Sequence, residues 1–387
     1  MTNNNKVNFS NRISILDLTR VLAMLTMIQG HTLDALANPQ QLDVSYFPWN
    51  LWSFLRGFTA QIFLIVSGAV QMFANKRNPD GSMPPKTIFR RVRMGLLLII
   101  IGYMFLFPAD KISNLVYLDR QAWQPFFQVN ILHLIGFSLI LIITLFTFIK
   151  NDRTLGWTAF IIAMLITLLS PFNSNFNWFD YLPEWVGAYL SFSHGSIFPV
   201  LPYSAFMLYG VAIGAVIKSR TPSQRDDYIG NWSAPFGIAV ILIGLLFFEL
   251  FREYPILPEL ILKVNPGMIF VQIGVVLLVI ALAALIYSQT EKLAPYYAVF
   301  GKKALFIYVS HLILLYGIPW IPGPAKTYFR HLSIWQSSVV ALAVIIICLA
   351  IAWIYDRSVS KHPVLRKVYI YGIIAFILIF ITLGNVL

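Results

Sequence analysis

"LDLTRVLAMLTMIQGH", residues 16–31, decides how this chain is read. Most of the stretch is the apolar sequence of a helix in lipid, yet it carries Asp17, Arg20 and His31, with Gln29 close by. A charged side chain costs roughly 2.5–3.5 kcal/mol at the centre of a bilayer, and such a residue marks a functional site by default. An α-helix rises about 1.5 Å per residue, so Arg20 and His31 are roughly 16 Å apart along the axis and about 20° from sharing one face. Asp17 and Arg20, three residues apart, lie on nearly that same face. A polar stripe therefore runs through much of one apolar helix.

The remainder of the 387 residues places that helix in a membrane. The chain is 58% hydrophobic and 15% aromatic but only 11% charged, and its mean hydropathy is +0.73. Soluble domains carry about 25% charged residues. Apolar runs near the length needed to cross a bilayer, about 20 residues, fall near 14–36, 51–74, 88–107, 130–149, 155–170, 197–218, 234–251, 267–288, 297–317, 336–355 and 368–386. The fifth and seventh are short. The expected fold is an all-α polytopic integral membrane helix bundle of about eleven spans. There is no fixed-period repeat and no long polar linker, so residues 1–387 read as a single integral membrane domain.

The net charge of +12 does not point to nucleic acid. With the N-terminus placed inside, 20 of the 28 Lys and Arg fall in inside segments and 6 in outside segments, the bias that orients membrane proteins. This predicts a cytoplasmic N-terminus in the plasma (bacterial inner) membrane. The opening "MTNNNKVNFSNR" is polar and short, and no small-residue cleavage site follows an apolar core, so the first span reads as an uncleaved anchor. Cys348 is the single cysteine and reads as a small buried hydrophobe; no internal disulfide can form.

Further polar groups lie within or beside the spans. His311 is in the ninth, His133 begins the fourth, His194 just precedes the sixth, and Arg56 lies in the second. In the predicted orientation all four lie in the outer half, with His31. Each has a structural reading beside the functional one. Asp17 and Arg20 make either a neutralising pair that fixes packing or part of a ligand path. His31 and His311 can be interhelical hydrogen bonders. Near the interface histidine is cheap, which favours structural roles for His133 and His194. The run "KRNPDGSMPPKTIFRRVRMG" (76–95) holds Arg90, Arg91 and Arg93 among six basic residues. It reads as an inside anchor or a contact with anionic lipid, or as a cradle for phosphates. The aromatic loops 46–52 and 172–189 suit an interfacial belt, or rings that stack on a sugar. "IPWIPGP" (318–324) reads as a stiff outer turn. No Cys cluster and no i,i+4 His pair supports a metal site, so no metal is expected.

"RISILDLTRVLAMLTMIQGH" (12–31) resembles the first-helix signature of bacterial membrane proteins related to heparan-α-glucosaminide N-acetyltransferase, within the wider transmembrane acyltransferase superfamily. In that signature an Asp is followed by an Arg three residues on and a His eleven further, as Asp17, Arg20 and His31 are here. "FLIVSGAVQMF" (63–73), "FPVLPYSAFMLYGVAIG" (198–214) and "FGKKALFIYVSHLILLYG" (300–317) are similar to later helices of the same group, the last placing His311 at the family's late histidine. The chain departs from the pattern at Val21, where Gly is usual, and at Tyr203, where Trp is common. In "ILHLIG", His133 and Leu134 stand where relatives often carry polar or basic residues.

The resemblance implies an enzyme that takes an acyl group, typically acetyl, from cytoplasmic acyl-CoA to a hydroxyl or amine of an extracytoplasmic sugar or glycan. It makes acetyl-CoA the acyl donor co-substrate. It assigns His31 the catalytic role, His311, Gln29 and Arg56 contacts to the acceptor or the oxyanion, and Asp17, Arg20, Arg90, Arg91 and Arg93 contacts to acyl-CoA. A histidine can take the acceptor's proton near neutral pH or carry the acyl group covalently. The partners implied are acyl-CoA, the glycan acceptor and membrane lipids, with no nucleic acid; a homodimer stays open. Two other readings of the residues stand beside this one: a transporter or glycan flippase that uses the same polar stripe, and a scaffold whose site has decayed.

Overall fold

The computed structural model describes residues 12–109, 112–318 and 321–359, and some of 361–379. The first helix, α1 (Ser14–Leu36), is unbroken over 23 residues, so its polar stripe has the spacing of a regular helix. The second expected span is two helices, α2 (Trp49–Arg56) and α3 (Thr59–Ala74). They part at Gly57 and Phe58, where the Gly57 N–H turns back to Ser53 and Phe54. Next come α4 (Pro85–Phe105), with proline in its first turn where no N–H is needed, and α5 (Arg120–Phe127). Asn130 caps α6 (Ile131–Phe148) and Asn151 caps α7 (Asp152–Ser174), each accepting two backbone N–H groups.

Then follow α8 (Glu184–Leu190), α9 (Val200–Lys218), α10 (Arg225–Leu250), α11 (Ile261–Val264) and α12 (Pro266–Thr290). The ninth expected span is also divided, into α13 (Ala294–Lys302) and α14 (Ala304–Tyr316), at Lys303. α15 (Pro324–Thr327) leads to α16 (Ile334–Ile354), which a Ser333–Gln336 capping box opens. The turn at 317–322 is a two-residue antiparallel pairing of Gly317–Ile318 with Ile321–Pro322; Trp320 of that turn lies outside the described residues.

Seven helical segments among the described residues are long and apolar enough to cross a membrane. The protein is thus an all-α, multi-pass membrane helix bundle. α1 and α4 are long helices outside that seven. Asp17, Arg20 and Asp34 lower the hydropathy of α1, and Arg90, Arg91 and Arg93 that of α4. The two spans that look short in the sequence are longer in the fold. The Asn151 cap starts α7 early, and α10 begins nine residues before its apolar run, at Arg225. The eleventh expected span, 368–386, falls largely outside the described residues, as do residues 1–11 with Lys6, and Lys111.

The chain divides into two compact units. The first comprises residues 1–16, 61–107 and 120–289. Here α7 packs along α9 and α4 along α6. Lipid tails are as apolar as leucine, so helices in a bilayer associate through close backbone packing and interhelical hydrogen bonds. α3 and α9 do this: a methyl group at Gly68 would strike the Met207 carbonyl, and one at Gly210 the Ile65 carbonyl. Gln61 donates to Gln272 Oε1 at 3.1 Å, and Gln272 donates to the Leu262 carbonyl at 2.6 Å. The Thr167 and Tyr209 hydroxyls meet at 3.0 Å. Arg77 donates to Asp152 Oδ1 (2.9 Å) and to the carbonyls of Gly81, Phe146 and Ile149.

The second unit comprises residues 17–60, 108–119 and 290–387. α14 packs on α16. The end of α1 is tied to the segment before α16 by three backbone bonds: Asn38 to Leu332, Leu332 to Leu36, and Arg330 to Ala35. Leu36, Leu315, Ala35 and Ala325 form the small core beneath that joint.

Candidate active site

Within the second unit α1 meets α13 and α14 at one level each. At the first, Asp17 lies against Gly301 of α13; a Cβ at Gly301 would come within 2.7 Å of Asp17 Oδ1. Only glycine admits the carboxylate there. At the second, His31 faces His311, with ring centroids 5.5 Å apart and planes tilted by 34°. Both chain segments run from the first contact to the second, so α1 and the α13–α14 segment follow the same direction. The Tyr308 ring stands edge-on to His311 at 5.2 Å.

His311 is fully buried, and among the described residues neither of its ring nitrogens is hydrogen-bonded. Carbonyls of its own turn, at Ile307 and Tyr308, approach it without good hydrogen-bond geometry. A buried polar atom left unpaired costs about 1–3 kcal/mol. Such atoms are rare in native structures, and catalytic use is one of the few reasons for keeping them.

His31 is half-buried and has charged neighbours. Asp34, one turn further along α1, forms an ion pair with Arg56 Nη1 at the end of α2. The Arg56 guanidinium lies over the Trp52 ring, 4.7 Å from its centroid. The Trp52 indole N–H donates to Gln29 Oε1 at 3.0 Å. Gly30 faces the Arg56 side chain, and a Cβ there would make ordinary contact with Arg56 Cδ at 3.4 Å. Hence Gln29, His31, Arg56 and His311, four residues expected at the site, share one unit: the two histidines face each other, Gln29 and Arg56 join through Trp52, and the charges of Asp34 and Arg56 act on His31. Asp34, Trp52 and Tyr308 belong to the same cluster and were not expected. Asp34 does carry a signal, because a carboxylate three residues after a histidine shares its helix face.

The residues expected on the donor side have varied surroundings. Asp17 is buried and Arg20 half-buried. Arg90 and Arg93 are exposed on α4. Arg91 is drawn inward: its Nε donates to Asn75 Oδ1 at 2.8 Å and its Nη2 to the Ala74 carbonyl at 3.2 Å, which clamps α4 to the end of α3. The other two outer histidines belong to the first unit. His133 Nδ1 accepts the Asn130 N–H at 3.1 Å as part of the α6 cap, and its ring lies 4.2 Å from that of Tyr103. His194 Nδ1 is 2.6 Å from Glu184 Oε1 and its ring stacks on Phe179 at 3.6 Å. Among the described residues no three His, Cys, Asp or Glu side chains gather as metal ligands would.

The fold is that of a multi-pass integral membrane protein, and one of its units presents paired histidines beside an Asp–Arg pair. Residues 12–248 match the catalytic domain of heparan-alpha-glucosaminide N-acetyltransferase. The matched segment is more than half of the chain, and the chain belongs to that family of membrane acetyltransferases. It includes Asp17, Arg20, His31, Asp34 and Arg56, and it ends before His311. Among curated proteins no match is found.

Proposed function

We propose that the protein is a transmembrane acyltransferase. It takes an acyl group, typically acetyl, from acyl-CoA on the cytoplasmic side of the plasma (bacterial inner) membrane. It passes that group to a hydroxyl or amine of a sugar or glycan on the other side. Residues 1–387 act as one integral membrane domain with the N-terminus cytoplasmic. The observation that carries this reading is the His31–His311 pair beside Asp34–Arg56, in a chain of an acetyltransferase family.

His31 takes the proton of the acceptor as its oxygen or nitrogen attacks the thioester carbonyl carbon. The C–S bond breaks, and CoA leaves with the sulfur and accepts a proton. Arg56 and the Gln29 amide supply donors for the oxygen that gains charge in the transition state. His311 orients the acceptor or the imidazole of His31. In the covalent variant His31 itself attacks, and the acceptor then removes the acyl group. Asp17, Arg20, Arg90 and Arg93 serve the donor side, where guanidinium groups suit the phosphates of CoA.

The test is acetyl transfer from acetyl-CoA to a glucosamine acceptor by purified protein. His31→Ala is expected to lower the rate by about 10²–10⁴-fold, the range of general acid–base catalysis, with the thermal transition unchanged. Full activity in that variant would overturn the assignment. Labelled acetyl-CoA supplied without acceptor separates the two routes: label bound to wild type and absent from His31→Ala marks the covalent one.

A further inference from the structure

We propose that a cleft in the first unit is a binding site for one anionic phospholipid. The cleft lies among α7, α9, α10 and α12 and has a volume of about 920 Å³. Its deep end is walled by Met164, Phe247 and Phe270. The one hydroxyl facing it there, on Tyr209, is already engaged by Thr167 at 3.0 Å. Nothing at that depth calls for a polar ligand, and an alkyl chain suits it.

The mouth is different. It is formed where α7 begins and α9 ends, by Asp152, Arg153 and Lys218. The two oxygens of Asp152 are held by Arg77 at 2.9 Å and Lys218 at 2.6 Å, so two cations already meet one carboxylate. Arg153 adds a third. It is exposed and makes no ion pair among the described residues. The rim is thus cationic, with a free guanidinium suited to a phosphate oxygen pair. A headgroup with net negative charge complements it; a zwitterionic headgroup brings a cation of its own.

Length and access agree with this occupant. From Arg153 to Met164 is eleven residues of helix, roughly 16 Å of rise. That is about half of a hydrocarbon core about 30 Å thick, the depth of one leaflet. Trp157, Phe236 and Ile243, on the walls, are 58%, 56% and 47% exposed. The cleft is therefore open along its side, and a lipid can enter without leaving the bilayer.

The test uses the full-length protein in detergent, offered equal amounts of phosphatidylglycerol, phosphatidylethanolamine and phosphatidylcholine with matched chains. Native mass spectrometry counts the lipid retained. One phosphatidylglycerol is expected, in preference to phosphatidylcholine. One basic residue near a membrane surface is worth about fivefold in anionic-lipid binding, so Arg153→Gln should lower that preference about fivefold. Ala212→Phe, which puts a ring into the cleft, should lower retention of every headgroup. If that variant does not fold, phosphatidylglycerol with brominated chains should quench the fluorescence of wild type more than that of Trp157→Phe. Equal retention of phosphatidylglycerol and phosphatidylcholine overturns the proposal. So does displacement of the lipid by glycerol phosphate alone, or by a long-chain acyl-CoA, which would make the cleft a donor site.

Discussion

Arg77 and Arg56 each hold an aspartate, but they are committed to different degrees. Arg77, in the first unit, spends its donors on Asp152 and on three backbone carbonyls, and its side chain is 9% exposed. Arg56, in the second unit, has Asp34 as its ion-pair partner and Trp52 beneath its plane, and it is 31% exposed. It makes no other side-chain hydrogen bond among the described residues. A guanidinium with four of its five donors spent holds helices in place. One with donors to spare, beside a histidine pair, can turn them toward a substrate.

Substitutions can break that comparison. Arg77→Ala should cost about 1–3 kcal/mol of stability, since it leaves the Gly81, Phe146 and Ile149 carbonyls without their donor while Asp152 keeps Lys218. Denaturation of the detergent-solubilised protein measures this, and activity per folded molecule should hold. Arg77→Lys should recover only part of the loss, because an ammonium lacks the planar fork that reaches several acceptors. A large fall in activity per folded molecule would place Arg77 in the chemistry after all.

Arg56→Gln should do the opposite. Loss of one donor to a developing oxyanion lowers turnover by about 10²-fold or more, whereas a partly exposed ion pair contributes about 0–1 kcal/mol to stability. A thermal shift without a kinetic one would make Arg56 a second Arg77. Trp52→Phe sharpens the case further. It keeps the ring under Arg56 and deletes the N–H that holds Gln29. A net hydrogen bond of about 0.5–1.5 kcal/mol corresponds to a roughly two- to tenfold loss in kcat/KM.

The smallest effect belongs to a carboxylate with no arginine in its hydrogen bonding. Asp80, in the loop between α3 and α4, is held below its ordinary pKa by the Ser82 hydroxyl, at 2.6 Å, and by the Ser82 backbone N–H. Its folded pKa is lower than its unfolded one. The loop's contribution is therefore present above about pH 4 and is lost as pH falls through the folded value. Ser82→Ala should raise the Asp80 carboxyl pKa toward its ordinary value, as followed by carboxyl NMR.

The helices were legible because long apolar runs with polar breaks leave little else for a chain to do in lipid. The breaks within runs were not. Gly57 and Lys303 divide two expected spans, each directly after a basic residue, Arg56 or Lys302, but the apolar run resumes within a few residues and no proline marks either place. On α1 the spacing of Arg20 and His31 could be read directly, and depth along the ninth span put His311 at the level of His31. Asp34 escaped notice because an acid near a helix end is ordinary. Trp52 looked like one more ring of an interfacial belt. Arg91 is indistinguishable in sequence from Arg90 and Arg93, but only it reaches Asn75 and the Ala74 carbonyl.

The glycines between α3 and α9 bear on how such a chain can diverge. Leu242, Leu245 and Leu246 on α10 are exposed, and any apolar residue can replace them at little cost. Gly68 and Gly210 face backbone carbonyls that cannot move aside for a methyl group without parting two helices. Substitutions will therefore accumulate on the lipid-facing leucines while these two positions stay as they are. In a distant descendant whose apolar stretches no longer align, this pair of glycines would remain as the most durable trace of common origin.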